Sequence, residues 1–327
     1  RRFGDAGRNF VALHEAGAFQ RDGRYDILHC HFGTLAENVL NHRDAGFLSG
    51  RVIVHFRGFD ISGHLRTHGQ HAYDGVFARA DSFIANCGFF RDRLLALGAP
   101  AERTSIVPSP VDVERFPYAA RAYAPGETLR LLCVGRLVEK KGFSYAIDAI
   151  GRLARDGVDV DCRIIGDGPL RQRLETEAAA QGLSARVRFT GAATHEEIAA
   201  ALAQAHVFIA PSTTGPDGDQ DASINTLKEA MAAGCPFVAT QHGGIPELAA
   251  GVDGGLLAPE ADAAALHQAL RALIARSGDW PAMGRAARAH IAQNYSFSAA
   301  TARTLNAYAL ARGETAPPAI STEPCNA

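Results

Sequence analysis

Short apolar runs, each closed by glycine or proline and each followed by a helical stretch, recur along almost the whole chain. Buried strands that alternate with helices are typical of βαβ units and of a parallel sheet. We therefore predict a doubly wound α/β domain in the carboxyl-terminal half. The first segment, Leu129–Phe143, is predicted to be a strand that ends on Gly135-Arg136, then a turn and a helix from about Gly142. The other strand-bearing segments are Cys162–Pro169, a strand and turn, and Val187–Gly191, His206–Ser212, Pro236–Glu247 and Asp253–Pro259.

The amino-terminal part shows the same alternation and predicts a second doubly wound unit. Its predicted strands lie at Tyr25–Phe32, Arg51–Phe59, Asp81–Cys87 and Ser105–Val107, and its helical stretches at 69–80 and 88–98. The fold class predicted is therefore α/β with two Rossmann-like domains. We place the first domain at 1–118, a linker at 119–127, the second domain at 128–295, a terminal helix at 296–312 and a disordered tail at 313–327.

Length and composition agree with two soluble domains. The 327 residues exceed the usual size of one core, and 47% apolar with 21% charged residues is typical of globular proteins. The net charge of −2 argues against nucleic acid as the main partner. No apolar run approaches the roughly 20 residues that cross a bilayer, so a cytoplasmic location is expected. The six cysteines are scattered singly and are expected to be small core residues.

The most informative stretch runs from Ser212 to Pro236 and joins an acidic loop to the start of a helix. Asp221 and Glu229 lie eight residues apart, a little over two helical turns, so their carboxylates are expected on nearly one face. The range Asn225 to Leu227, which contains Thr226, falls in the expected first turn. Its unpaired backbone N–H groups and the positive end of the helix dipole suit an anionic phosphate. The carboxylate of Glu229 could accept hydrogen bonds from ribose hydroxyls.

This D-x7-E stretch resembles the acidic signature of retaining GT-B glycosyltransferases of the family four kind. Asp221 stands where the family has glutamate, so it keeps the charge with a shorter reach. By this resemblance Asp221 faces the donor sugar and Glu229 the ribose. The order of the strands after Leu129 is also similar to that of the family's nucleotide-binding half, over nearly two hundred residues.

A second element of the resemblance is the G-R-x4-K pattern formed by Gly135, Arg136 and Lys141. This pattern resembles the one that, in the family, supplies the two cationic side chains that hold the donor diphosphate. The turn that carries Gly166 and Gly168 follows the next predicted strand and is assigned to the donor site as well. All of these residues are expected at the carboxyl edge of the sheet, where open α/β sheets bind ligands.

The resemblance implies a GT-B fold with two domains facing a cleft, and a retaining transfer of sugar from a nucleotide diphosphate donor. The implied acceptor is a glycan or a polyprenyl-linked glycan, in bacterial polysaccharide or glycoconjugate biosynthesis. Peripheral contact with the inner face of the membrane is compatible with this implied function. Two alternatives stay open, namely a catalytically silent nucleotide-sugar-binding module and a GT-B relative such as an epimerase or a phosphorylase.

The amino-terminal domain departs from the family at Arg57, which stands where the resemblance places the histidine of an F-H-G-x-D pattern. Arginine cannot act as a base, but its guanidinium can hold a carboxylate or phosphate through two parallel hydrogen bonds. We hypothesise an acidic sugar donor or an anionic acceptor, with Arg57 as its clamp and Asp60 orienting it. The alternatives are that the neighbouring His55 has taken over the role of the missing histidine, or that activity has been lost.

Two histidines end the first predicted strand, His29 and His31, and they serve either as polar strand ends or on the acceptor side. With His55 they form the candidate acceptor-side set. The predicted catalytic set consists of Arg57, Asp60, Arg136, Lys141 and Asp221.

A metal is not expected from the alternating carboxylates Asp217, Asp219 and Asp221. An EF-hand that begins at Asp217 would need glycine at its sixth position and glutamate at its twelfth, where the chain has Ala222 and Lys228. The D-x-D of a metal-dependent one-domain glycosyltransferase would conflict with the two-domain pattern. No cofactor other than the nucleotide-sugar substrate is therefore expected.

The front of the chain differs from the family's usual beginning. The chain opens without methionine on a helix-like stretch, Arg8–Gln20. The resemblance implies that roughly the first three strands and their helices are missing, so that the acceptor domain is incomplete.

Overall fold

The computed structural model describes residues 23–222 and 224–314. They form two compact units, of which the first runs up to Pro108 and resumes at Ala300, and the second is Ser109–Ala299. The helix predicted at Arg8–Gln20 and the tail from residue 315 lie outside the described residues. No helix within the described ranges combines the length and the apolar character that crossing a bilayer requires.

The first unit is built on a four-stranded parallel sheet with the order β1-β2-β3-β4. Strand β2 reads S-G-R-V-I-V-H-F and is buried from Val52 to Phe56, as expected for a strand covered on both faces. The strands are β1 (Arg24–His31), β2 (Ser49–Phe56), β3 (Ser82–Ala85) and β4 (Thr104–Ile106), and the helices are α1 (Gly33–Asp44), α2 (Gly63–His68), α3 (Asp74–Arg79) and α4 (Gly88–Ala96).

The helix expected at 69–80 is shorter in the structure and begins later. Helix α2 ends before Gly69, which has a φ of +85° and donates its N–H to the carbonyl of Leu65 at 2.8 Å. A glycine with positive φ terminates helices readily. Helix α3 starts only at Asp74, so the predicted helix is shortened to Asp74–Arg79, and α2 lies before the predicted stretch.

The second unit is built on a six-stranded parallel sheet with the order β10-β9-β8-β5-β6-β7. Each strand predicted from the sequence is present. The strands are β5 (Leu129–Val134), β6 (Val160–Ile165), β7 (Val187–Gly191), β8 (Val207–Ala210), β9 (Phe237–Thr240) and β10 (Gly255–Ala258), and the helices are α5 (Phe143–Arg155), α6 (Arg171–Ala180), α7 (His195–Gln204), α8 (Asn225–Ala232), α9 (Ile245–Ala249), α10 (Ala263–Ala275) and α11 (Trp280–Asn294).

Local sequence accounts for these helices. In α5 the buried side chains Phe143, Ile147, Ile150 and Leu153 recur every three or four residues, so one stripe packs into the core formed with β5 and β6. Helix α7 begins at a capping box, in which the Thr194 hydroxyl accepts the N–H of the glutamate three residues later and that glutamate accepts the Thr194 N–H.

The boundary between the units lies near Pro108, about ten residues before the predicted one. The reason is packing, because Val111, Val113 and Phe116 belong to the core of the second unit. The predicted linker is also tied down there, since the Arg121 guanidinium donates to the carbonyl of Ala205 at 2.8 Å.

The last helix, α12 (Phe297–Arg312), matches the predicted terminal helix to within one residue. Its residues Ala307 and Ala311 pack with Ile53, Ile84 and Val107 in the core of the first unit. The carboxyl-terminal end of the described chain therefore returns to the first sheet.

The cysteines within the described residues are core residues, as predicted. Those at 30, 87, 133, 162 and 235 are buried and unoxidised, while Cys325 lies outside the described residues.

Candidate functional site

The second sheet has one point where the direction of strand addition reverses. From β5 the chain adds β6 and β7 on one side and then returns to add β8, β9 and β10 on the other. Parallel α/β sheets bind ligands outside the carboxyl ends of the strands at such a point. The loops after β5 and β8 are therefore the natural place for a site, and they carry Gly135, Arg136, Lys141 and Asp221.

Glycines allow the loops after β5 and β6 to touch. A Cβ on Gly166, which has a φ of +142°, would lie 1.9 Å from the carbonyl oxygen of Gly135. A Cβ on Gly168 would lie 2.6 Å from the carbonyl oxygen of Leu137, whose N–H donates to the carbonyl of Asp167 at 2.9 Å. The two predicted donor-site glycines thus hold two backbone segments in direct contact at the carboxyl edge.

A third glycine joins the loop after β5 to the loop after β8. Gly142 has a φ of +63°, and a Cβ there would lie 1.9 Å from the carbonyl oxygen of Pro211. The N–H of Thr213 donates to the carbonyl of Lys140 at 2.9 Å. The turn that carries Lys140 and Lys141 is therefore fixed against the beginning of the acidic loop.

Asp221 is the anionic centre of this arrangement. Its carboxylate lies 2.7 Å from Nζ of Lys141 and 3.3 Å from Nζ of Lys140, and it accepts the Ser212 hydroxyl at 3.0 Å. Lys140 also lies 2.7 Å from Asp219. Burial alone would raise the pKa of Asp221, but Lys141 and Lys140 outweigh it and lower that pKa.

The same carboxylates raise the pKa of Lys140 despite its burial. Lys141 and Asp221, which we predicted to contact the diphosphate and the donor sugar, are thus bound to each other in the ligand-free chain. Lys140, which we did not assign to the site, belongs to the same network.

A buried histidine, His242, fixes the acidic loop through the backbone N–H of Asp221. Nε2 of His242 accepts the backbone N–H of Asp221 at 3.0 Å, and Nδ1 lies 2.6 Å from the carboxylate of Glu260. Since Nε2 is the acceptor, Nδ1 carries the proton and donates it to Glu260. The same oxygen, Oε2 of Glu260, also accepts the N–H of Thr214 at 2.9 Å. We did not predict His242 and Glu260, and the signal available was a histidine directly before the Gly-Gly after β9.

Helix α8 starts at Asn225 and places Asn225, Thr226 and Leu227 in its first turn, as expected. No side chain of the described residues caps this terminus. The Leu227 side chain is completely buried, so only its backbone N–H could meet a ligand. These N–H groups lie at the end of the acidic loop, in a position suited to an anion.

Two charged residues of α8 are buried. Glu229 is 7% exposed, its Oε2 has no hydrogen-bond partner among the described residues, and burial raises its pKa. Nζ of Lys228 donates to the carbonyl of Ser109 at 2.7 Å and to Oδ1 of Asn225 at 3.2 Å. A buried carboxylate oxygen that lacks a partner is unusual and indicates a place for a ligand hydroxyl.

An open groove of about 410 Å³ lies between the loops after β5, β6 and β8. Arg136, Leu170 and Pro216 contribute to its walls. Arg136 is exposed, so its guanidinium can reach a ligand in this groove.

In the first unit, Asp60 does not orient the Arg57 guanidinium as we expected. Its carboxylate accepts three backbone N–H groups instead, those of Gly33, Arg57 and Gly58, at 2.9, 3.0 and 2.9 Å. The Tyr73 hydroxyl donates to the Asp60 carbonyl at 2.7 Å. Asp60 is 1% exposed, and with these hydrogen bonds it fixes the backbone at the end of β2.

The three predicted acceptor-side histidines do come together. His29 and His31 alternate on β1, and His31 is the register partner of His55 on β2. The ring centroids lie 4.3 Å apart for His29 and His31 and 5.6 Å apart for His31 and His55. Nη1 of Arg57 lies 3.1 Å from Nδ1 of His31, so the guanidinium belongs to this cluster.

Known proteins match the chain on both sides of the unit boundary. The family model for glycosyl transferases group 1 matches residues 128–276, and that for glycosyltransferase family 4 matches residues 1–115. The chain is 34% identical to the putative colanic acid biosynthesis glycosyltransferase WcaL of Salmonella typhimurium, over 84% of this chain and 71% of that protein. The chain belongs to glycosyltransferase family 4.

A second relative of this glycosyltransferase is the amylovoran biosynthesis glycosyltransferase AmsK of Erwinia amylovora. It is 35% identical over 83% of this chain and 67% of its own length.

Solved structures confirm the predicted GT-B fold of the glycosyltransferase. Sucrose-phosphate synthase from Thermosynechococcus elongatus superposes with a TM-score of 0.76 at 20% identity, over 90% of this chain and 75% of its own. Anabaena HepE, solved in complex with UDP and glucose, superposes with a TM-score of 0.73 at 19% identity, over 90% and 80%.

Proposed function

We propose that this glycosyltransferase moves a sugar from a nucleoside diphosphate donor to a glycan or lipid-linked acceptor in bacterial polysaccharide biosynthesis. The observation that supports a nucleoside diphosphate donor is the group of cationic side chains at the carboxyl edge of the second sheet, where the direction of strand addition reverses. There Arg136 lies two residues after the end of β5, Lys141 lies in the next turn, and the start of α8 adds backbone N–H groups. The names of the relatives, which act in colanic acid and amylovoran biosynthesis, support the polysaccharide part.

In this proposal the leaving diphosphate is stabilised by side chains and backbone N–H groups. As the bond to the sugar breaks, negative charge grows on the diphosphate, and fixed donors aimed at that charge lower the barrier. Arg136 supplies a planar guanidinium that matches phosphate oxygens, and Lys141 supplies a point charge. The pairing with Asp221 at 2.7 Å holds Lys141 in place before the donor arrives.

Glu229 completes the donor site by binding the ribose. Its Oε2 is buried and has no partner among the described residues, so a ribose hydroxyl can donate to it. Burial raises the pKa of Glu229, and hydrogen bonds donated to the carboxylate would lower it again on binding.

Retention of the anomeric configuration is part of the proposal and is supported by the resemblance of the D-x7-E stretch. Anomeric coupling constants in the NMR spectrum of the product test it against the donor. An inverted product would refute this part alone.

The decisive experiment is transfer with a panel of sugar nucleotides, followed by mass spectrometry of the acceptor and by assay of nucleotide release. We expect one donor to give a product one sugar heavier, with nucleotide release that depends on the acceptor. Arg136→Ala should reduce this rate, while Arg155→Ala should not, because Arg155 lies at the end of α5, on the opposite edge of the sheet. Release that is independent of acceptor, or binding with no release, would contradict the transfer.

Charge neutralisation by side chains also predicts that the reaction proceeds without a metal. Transfer should be unchanged after treatment with EDTA and after later addition of Mg²⁺ or Mn²⁺. A rate that collapses with EDTA and returns with either ion would contradict this part of the proposal.

A further inference from the structure

The first turn of α8 carries an asparagine whose side chain is fixed by a buried lysine. Nζ of Lys228 donates to Oδ1 of Asn225 at 3.2 Å, three residues earlier in the same helix. Residues three apart are neighbours on a helix surface, so the N-x-x-K spacing brings the two side chains together. Lys228 is completely buried, whereas Asn225 is exposed at the start of the helix. The contact therefore runs from the interior of the second unit to a residue that a ligand can reach.

Other contacts hold Lys228 in this position. Its Nζ also donates to the carbonyl of Ser109 at 2.7 Å and lies over the Tyr295 ring, 5.4 Å from the ring centroid. A cation is attracted to a ring face within about 6 Å. The backbone of these partners is tied together as well, because the N–H of Val111 donates to the carbonyl of Tyr295 at 2.8 Å. Nζ is thus held at a defined point, from which it reaches Asn225.

The direction of this hydrogen bond determines which end of the Asn225 carboxamide faces outward. The Nζ of a lysine only donates, so its partner must be the oxygen Oδ1. The amide nitrogen Nδ2 lies on the other side of the planar group and carries two hydrogens that Lys228 cannot accept. Because Asn225 is exposed, Nδ2 is presented at the start of α8, beside the backbone N–H groups of the first turn. The lysine thereby makes Asn225 a donor toward a ligand.

A buried carboxylate on α8 indicates that a ligand occupies the same face of the helix. Glu229 lies four residues after Asn225, and residues at this spacing share a face. Glu229 is 7% exposed, and its Oε2 has no hydrogen-bond partner within residues 23–222 and 224–314. A buried polar atom without a partner needs an explanation, and a ligand hydroxyl supplies one. The face thus offers amide hydrogens at its start and a carboxylate oxygen about 6 Å further along the axis.

The order of donor and acceptor along this face matches a ribosyl diphosphate. The ribose carries hydroxyls, which can donate to Glu229, and the diphosphate carries oxygens that accept. The positive end of the helix dipole favours the diphosphate at the start of α8. A carboxamide that turned freely would present its oxygen to the phosphate as readily as its nitrogen. Fixing Oδ1 on Lys228 removes that unfavourable orientation.

We propose that Nδ2 of Asn225 binds the diphosphate of the donor and that Lys228 is the positioning residue that holds the carboxamide in its donating orientation. This rests on the proposed function, because it takes a nucleoside diphosphate as the ligand. It adds a side-chain contact to the phosphate and the residue that sets the direction of that contact. Lys228 acts through Asn225 and does not touch the donor.

The test begins with the affinities of the full chain for UDP and GDP, and for UMP and GMP, measured by calorimetry. Asn225→Ala should weaken the binding of the diphosphate about tenfold, the effect of one hydrogen bond to a charged group, and should change the binding of the monophosphate less. Asn225→Asp should weaken it more, because Lys228 would hold one carboxylate oxygen and leave the other facing the phosphate. Diphosphate binding by Asn225→Ala that equals that of the parent overturns the inference.

The matched control is Gln204→Ala. Gln204 is an exposed carboxamide of the second unit, and it lies at the end of α7. Its removal should leave the affinity for the diphosphate unchanged. A loss equal to that of Asn225→Ala would show that the effect is not specific to the start of α8 and would overturn the inference.

A double-mutant cycle separates positioning from general support of the fold. Lys228→Met keeps an unbranched side chain of similar length but cannot donate, so Asn225 is free to turn. Binding of the diphosphate should weaken about fivefold, the cost of ordering one side chain on binding. In the Asn225→Ala background the same change should have no further effect on affinity, although it should still lower the melting temperature, since the hydrogen bond to Ser109 is lost. Equal losses of affinity in both backgrounds overturn the positioning role.

The orientation of the carboxamide can also be measured by NMR of chain labelled with ¹⁵N-asparagine. The Nδ2 resonances of Asn225 are identified as those absent from Asn225→Ala. We expect them to shift when pyrophosphate is added and to differ in Lys228→Met. Resonances that ignore pyrophosphate overturn the contact. If Lys228→Met does not fold, the Asn225 variants, at an exposed position, still decide whether the contact exists.

Failure of this inference and failure of the proposed function give different results. If the parent binds UDP or GDP, and Arg136→Ala weakens that binding while Asn225→Ala does not, the donor site stands and the inference is wrong. If the parent binds neither nucleotide and pyrophosphate leaves the Asn225 resonances unchanged, both are wrong.

Discussion

The ammonium nitrogen of Lys141 lies 2.7 Å from a carboxylate oxygen of Asp221, although the two residues are 80 positions apart in the chain. The pair joins the loop after β5 to the loop after β8. A ligand that binds Lys141 therefore also acts on the acidic loop through Asp221. Changes to either residue should affect both binding and stability.

Removing the cations of the candidate donor site should weaken the binding of nucleoside diphosphates. We expect Arg136→Ala and Lys141→Ala each to cost about 1.5–3 kcal/mol, the value of a charge-assisted hydrogen bond. Calorimetry with UDP and GDP measures this, and Arg155→Ala is the matched control. Arg136→Ala is the cleaner change, because Lys141→Ala also leaves Asp221 short of a partner. If both variants bind like the parent, the diphosphate lies elsewhere.

Asp221→Asn should destabilise the chain by roughly 3 kcal/mol at neutral pH, because it leaves the partly buried ammonium group of Lys141 without its carboxylate and that of Lys140 with Asp219 alone. The pKa of Asp221 is lowered from 3.8 in the folded chain, so its stabilisation is present above pH 3.8 and is lost as the pH falls through the lower folded value.

Urea unfolding of parent and Asp221→Asn should therefore differ most near pH 7 and converge in acid below pH 3.8. Asp161→Asn is the control, because Asp161 pairs with Arg188 on the exposed side of the sheet. A difference that is independent of pH would contradict the ion pair.

His242→Leu should destabilise the acidic loop by about 1–3 kcal/mol, since the buried N–H of Asp221 loses its acceptor. A double-mutant cycle with Glu260→Gln should show coupling, because Nδ1 of His242 lies 2.6 Å from Glu260. His267→Leu is the control, as it breaks another histidine-carboxylate pair, with Asp156. Additive effects of the two changes would show that the contact carries no energy.

Gly166→Ala should unfold or strongly destabilise the second unit, by more than about 3 kcal/mol, because the new Cβ would meet the Gly135 carbonyl oxygen at 1.9 Å. Gly157→Ala is the matched control. Gly157 also has positive φ, of +88°, but has open space around its Cβ, so it should cost only about 1–2 kcal/mol. Equal losses in thermal melts would mean that backbone strain alone matters at both positions.

Arg57→Gln should raise the pKa of His31 and His55 but leave both below 6.5. Burial is the larger cause of the lowering and remains, whereas the charge of Arg57 is removed. Titration of the imidazole resonances by NMR measures this, with Arg66→Gln as control. Unchanged values would mean that the guanidinium does not face the cluster in solution.

The sequence was sufficient to predict the strands and the residues that lie at the carboxyl edge of the sheet. Strands covered on both faces read as apolar runs closed by glycine or proline, and residues directly after them, such as Arg136, must lie at the carboxyl edge. The placement of Asn225–Leu227 in the first turn of a helix also follows from the local sequence.

The contacts within the site could not be predicted in this way. Lys141 and Asp221 meet because Gly142 lets one loop approach Pro211 of the other, and such loop geometry has no periodic signal. Likewise the role of Asp60 depends on the N–H of Gly33, which lies 27 residues away at the start of α1. The sequence grouped His29, His31 and His55, but only the strand register shows the contact, because it pairs His31 with His55.

The chain contains three lysines, and all of them lie on the loops and helix of the candidate donor site. Lys140 and Lys141 are engaged by Asp219 and Asp221, and Lys228 is completely buried. An acylating reagent should therefore modify the side-chain amines of the native protein slowly and those of the unfolded protein quickly. Each acyl group adds a fixed mass, so intact-mass spectrometry would count, molecule by molecule, how many chains have opened around the donor site.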